Sequence, residues 1–97
     1  MNVQCKINKL IKGLNIYGHI YLVNREQLVS NKTGNVCTVY KLFHLMPIEE
    51  YNEMYPDRKK DPDKYSNVKV EILSAFKQQE ILLELVRIYK EVGGADG

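Results

Sequence analysis

Apolar and polar positions alternate at the start of the chain. Val3, Cys5 and Ile7 are set against Gln4, Lys6 and Asn8, a pattern that predicts a half-buried strand, and Gly13 predicts the turn after it. The next stretch, NIYGHIYLVN at residues 15–24, alternates without a polar side. One face carries Ile16, Gly18, Ile20 and Leu22. The other carries Tyr17, His19, Tyr21 and Val23. A half-exposed antiparallel strand ordinarily shows one polar face, so both faces of this second strand call for cover.

The segment SNKTGN, residues 30–35, is dense in turn formers and places Gly34 where a left-handed residue is needed. VCTVYKLFHLM, residues 36–46, is β-branched and aromatic and predicts a third strand. Strands two and three then form a long hairpin. With residues 31–34 as its loop, Val29 faces Val36, Val23 faces Leu42 and Tyr21 faces His44. A slip of one residue would change every pair.

Pro47 suits the first turn of a short helix, with Glu49 and Glu50 near its positive end, and Pro56 stops it. Residues 55–66 hold two prolines and mixed charges and predict a solvated loop. Val68, Val70 and Ile72 alternate with Lys69 and Glu71, a fourth short strand. Ser74 would cap a last helix over residues 75–92. The polar residues of that helix, Lys77, Glu80, Glu84, Arg87 and Glu91, form one stripe, and its apolar arc is wider than one sheet face covers. Leu82 and Leu85 are expected to face inward. The expected fold is therefore α+β: a small antiparallel sheet of three to four strands packed by a long C-terminal helix, with a short helix after Pro47. Residues 1–92 form one domain and 93–97 a flexible tail.

Composition narrows the class. A chain of 97 residues supports one core, and 44% apolar with 27% charged residues is globular rather than disordered. No stretch reaches the ~20 apolar residues of a membrane span, and the N-terminus has no signal-peptide h-region. The expected setting is cytoplasmic and reducing, with Cys5 and Cys37 as free, core-facing thiols. Lysine outnumbers arginine, and Asn, Ile and Tyr are frequent. Such usage accompanies AT-rich coding, as in low-GC bacteria, their phages and mobile elements.

No chemistry assembles from the motifs. His19 and His44 with two cysteines lack any zinc spacing. Neither thiol has a glycine elbow or helix N-terminus behind it. Glu49 and Glu50 are adjacent and cannot share a helical face. The acidic residues Asp57, Asp61 and Asp63 are interleaved with cations and lack the glycine and closing glutamate of a calcium loop. No catalytic residue, metal or cofactor is expected. Tyr17, His19, Tyr21, Tyr40 and His44, together with Leu83 and Val86 of the excess helical arc, are candidates for an interaction surface. The first expectation is a non-enzymatic binding or regulatory protein that forms a homodimer or binds another protein. The alternative is single-stranded nucleic-acid binding, with those aromatics stacking bases and Arg25, Lys41, Lys59 and Lys60 contacting phosphates. A net charge of only +2 argues against that alternative.

Overall fold

Val3, Ile7, Leu10, Ile11 and Leu14 lie at helical spacing, and in the computed structural model they line one face of helix α1, Val3–Ile16. The structure describes residues 2–93. The expected first strand is thus a helix. Its alternation spans only six residues, whereas the spacing of three and four runs through Leu14 and brings that face onto the core. Asn2 caps α1, its side chain accepting from the Cys5 N–H at 2.8 Å. Gly13 marks no turn and sits inside the helix.

The end of α1 corrects the second strand as well. Gly18 has φ +85°. Its N–H donates to the Asn15 carbonyl, and the His19 N–H donates to the Leu14 carbonyl, both at 3.0 Å. This is a Schellman cap, which needs a residue without a side chain at the left-handed position. Strand β1, Ile20–Val29, starts only after it. Ile16 and Tyr17 therefore lie on the end of a helix and not on a sheet face.

β1 pairs antiparallel with β2, Val36–Pro47, in the expected register: Val29 with Val36, Val23 with Leu42, Tyr21 with His44. Gly34 takes φ +72° in the connecting turn. Helix α2, Ile48–Met54, follows directly and is succeeded by a 3-10 turn at Pro56–Arg58. Strand β3, Asn67–Ala75, pairs antiparallel with β2, giving the sheet order β1-β2-β3. Helix α3, Gln78–Gly93, closes the described chain. It starts later than expected, because Ser74 pairs with Lys41 inside the sheet and so is not a helix cap. Of the expected tail, Gly93 belongs to α3, and residues 94–97 lie outside the described residues.

Helices α1 and α3 pack on one face of the sheet. Ile7 and Leu14 of α1, Ile81, Leu82, Leu85 and Ile88 of α3, and Tyr21, Leu42 and Ala75 of the sheet form the core. Val86, Tyr89 and Val92 pack against the same cluster. The wide apolar arc of α3 is thus covered from two sides, by the sheet and by α1, except at Leu83, which stays exposed. An irregularity in β3 sets its contribution. Leu42 pairs with Leu73 but Phe43 with Glu71, so Ile72 is an extra residue. This bulge switches the side-chain parity and turns Val68 and Val70 toward the helices. No helix is long and apolar enough to cross a membrane among the described residues.

Candidate functional site

The expected aromatic surface separates into two parts. Tyr21 and His44 are buried, at 7% and 8% exposure, and stack on each other with ring centroids 4.5 Å apart and planes 9° from parallel. Opposite positions on paired strands put them there. This chain's own helices cover them, so their faces are not free for a partner or a base. His19, which leads into β1, lies 6.4 Å from the His44 ring. Tyr40 is half-buried against the core. Tyr17 caps α1 and meets the Tyr89 ring of α3 edge-on at 6.3 Å, remaining about half exposed.

Burial lowers the His44 pKa from its ordinary value; the Glu50 carboxylate opposes that shift and His19 adds to it. Burial raises the Tyr21 pKa, helped by the carboxylates of Glu50, Glu91 and Glu84 and opposed by Arg87. Among the described residues, no three His, Cys, Asp or Glu side chains are grouped to hold a metal.

The thiols are exposed, Cys5 on α1 and Cys37 near the hairpin tip, and neither faces the core as expected. Once the first strand becomes a helix, Cys5 falls on its outer face. Cys37 pairs with Leu28, beyond the part of β2 that β3 supports. Leu83 is exposed on α3, while Val86 is half-buried against the core. The proposed phosphate contacts differ in setting. Arg25 and Lys59 are exposed. Lys41 Nζ lies 3.1 Å from Glu26 and 3.7 Å from Glu71, and these bonds raise its pKa. The Lys60 backbone is held by the Asn52 side chain, and its ammonium lies over the Tyr65 ring.

The sheet face turned away from the helices carries the larger unaccounted surface. Successive strand residues point to opposite faces, so with Tyr21, Leu42 and His44 turned inward, Ile20, Leu22, Phe43 and Leu45 point outward. They form two cross-strand pairs, Ile20 with Leu45 and Leu22 with Phe43. Lys69 lies over the Phe43 ring at 4.2 Å, and the Lys41 ion pairs with Glu26 and Glu71 mark the middle of the face. Beyond them, toward the hairpin tip, follow the exposed Cys37 and Leu28, whereas Val39 between is buried at 5% exposure. The molecule measures 44 × 36 × 17 Å, one sheet layer against one helix layer. Its radius of gyration, 15.7 Å, exceeds the ~13 Å of a compact chain of this length.

The sequence reading did not single out Ile20, Leu22, Phe43 and Leu45. The signal was present: the two-faced alternation of residues 15–24 and the hairpin register together place these four on one surface. Hydrocarbon side chains carry no recognisable chemistry of their own, unlike the tyrosines and histidines beside them. Comparison with known family models, curated proteins and solved structures finds no match.

Proposed function

We propose that this chain is a small non-enzymatic binding protein that acts through protein contacts, and that a second copy of itself docks on the open sheet face. The observation that carries this reading is the pair of apolar cross-strand contacts, Ile20 with Leu45 and Leu22 with Phe43, on the face opposite the helices. A two-layer domain of this size gains by covering such a patch. The charges favour a like surface as the cover. Lys41 pairs with both Glu26 and Glu71, so no excess positive charge stands in the middle of the face to repel a second copy. Apolar residues lie on both sides of this charged middle. A two-fold axis through the middle sets each apolar end against its counterpart on the other copy, a self-complementary contact. The two exposed thiols suit a reducing, cytoplasmic setting.

Nucleic acid has less behind it. Tyr21 and His44 stack on each other under the helices, and two carboxylates neutralise Lys41. Sedimentation at micromolar concentration should give about twice the 11.3 kDa chain mass. Phe43→Glu should return the monomer with its circular dichroism unchanged. A wild-type monomer at tens of micromolar would sink the dimer. Salt-sensitive, sub-micromolar oligothymidylate binding that is lost in Tyr17→Ala would favour the nucleic-acid reading instead.

A further inference from the structure

We propose a second, separate binding site: a cleft along the free edge of β3 that takes an extended acidic peptide segment of a partner protein as an added strand. The cleft encloses about 380 Å³ and is lined by Tyr51, Tyr55, Arg58, Lys60 and the four consecutive residues Val68–Glu71. That volume lies within the ~300–1,000 Å³ of small binding sites. Val68 and Val70 point to the helix side of the sheet, Lys69 and Glu71 to the open side. Only the edge of a strand brings both sets into one cleft.

The edge is available for pairing. β3 is the last strand in the sheet order β1-β2-β3. Among the described residues, no backbone group of Val68–Glu71 bonds to anything but β2. Regular pairing runs from Asn67 to Glu71 and stops at the Ile72 bulge. The bulge interrupts the edge, so the stretch lining the cleft is a regular run open to an added strand. The Ile48 N–H, donating to the Ser66 carbonyl at 3.1 Å, ties α2 to the start of this stretch. The opposite wall is fixed by Asn52, which bonds both the N–H and the carbonyl of Lys60.

Charge selects the class of peptide. Among the described residues, Arg58, Lys60 and Lys69 make no salt bridge. Lys60 and Lys69 rest on the rings of Tyr65 and Phe43, which position the ammonium groups without neutralising them. Glu71, the one carboxylate in the lining, is compensated by Lys41. Asp57, Asp61 and Asp63 belong to the same connection, but none lines the cleft. The result is a cationic slot beside an unpaired strand. Main-chain bonds would give affinity, and acidic side chains at alternate positions would give selectivity. A nucleotide fits less well, because Tyr51 is buried and already packed on Tyr55 at 4.9 Å. The proposal does not depend on the dimer.

The test is a titration of the full chain, followed by amide NMR, with the blocked peptide acetyl-Thr-Glu-Val-Glu-Val-Thr-amide. Shifts and slowed exchange should centre on Val68–Glu71. The counterpart with Lys in place of Glu should bind about tenfold more weakly, and backbone N-methylation at alternate residues should abolish binding. Arg58→Glu with Lys60→Glu should lower the affinity for the acidic peptide about tenfold and reverse the preference. Equal binding of the acidic and basic peptides, shifts located elsewhere, or binding that survives N-methylation would overturn the proposal. So would protection of Val68–Glu71 in the free protein that rises with its concentration, which would assign the edge to a second copy. Preferential binding of oligothymidylate in the cleft would overturn it too.

Discussion

His44 shows how much one ring depends on its cover. Its pKa is about 6.5 when exposed and lower in the fold, because burial disfavours the cation. The unfolded chain therefore binds more protons over this window. The stabilisation from a neutral His44 is complete above pH 6.5 and is lost as pH falls toward the folded pKa. Melting temperature should drop between pH 7.5 and 5.5, and His44→Gln should flatten that drop. Because Glu50 opposes the shift, Glu50→Gln should steepen it. An identical pH profile in wild type and His44→Gln would show that the ring is not desolvated. Gly13 is the other informative residue. A Cβ there would meet the Tyr89 ring at 2.7 Å. Gly-to-Ala inside a helix ordinarily gains ~1 kcal/mol. Gly13→Ala should forfeit that gain in denaturant melts, because Tyr89 must move. The full gain would mean that α1 and α3 do not approach so closely.

Among the elements, α3 combines two kinds of stabilisation. Glu84, Arg87 and Glu91 form an ion-paired surface stripe, worth little because it is exposed. Leu82 and Leu85 are buried, Leu85 completely. Leu85→Ala should cost ~2–5 kcal/mol, which is a large part of the ~5–15 kcal/mol total of a typical domain. A loss below 1 kcal/mol would show that the core lies elsewhere. The end of α1 offers a different test. Gly18→Ala forces a side chain into the left-handed region and should cost ~1–2 kcal/mol, although nothing lies within 4 Å of a Cβ at that position. A neutral Gly18→Ala would therefore discount the cap itself, with no steric clash to confuse the result.

The shape of the whole molecule follows from one parity switch and one uncovered layer. Deleting Ile72 removes the bulge and leaves every pair in place: Glu71 still meets Phe43 on the open face, and Val68 and Val70 still face the helices. The deletion should change stability by less than ~1 kcal/mol, since Ile72 is itself exposed and no side chain changes face. A loss above ~2 kcal/mol in a melt would show that the bulge itself holds β3 in place. The exposed positions of Cys5 and Cys37 also belong to this scale. Cys5 should react with a thiol reagent in the folded protein at a rate close to that in denaturant, while Cys37, on the open face, should slow as the chain dimerises. A Cys37 rate that does not change with protein concentration would show that no second copy covers the hairpin end of the face.

The hairpin, its register, the helix after Pro47, the third paired strand and the inward leucines of α3 were all legible in the residues. Each rests on local chemistry: a glycine at a left-handed turn, prolines that start and stop a helix, and apolar spacing that is long enough to be unambiguous. Residues 3–16 were misread because a short alternation and a longer helical period coexist there. Only packing against α3 decides between them, by giving the face from Val3 to Leu14 a surface to bury against. The same contact covers much of the wide arc of α3, and the helix layer as a whole buries Tyr21 and His44. The open face could not be read because a side chain's exposure depends on which layers the chain supplies. Ile20, Leu22, Phe43 and Leu45 look like core residues in the sequence. They lie outside because all the covering helices fall on the other side of the sheet.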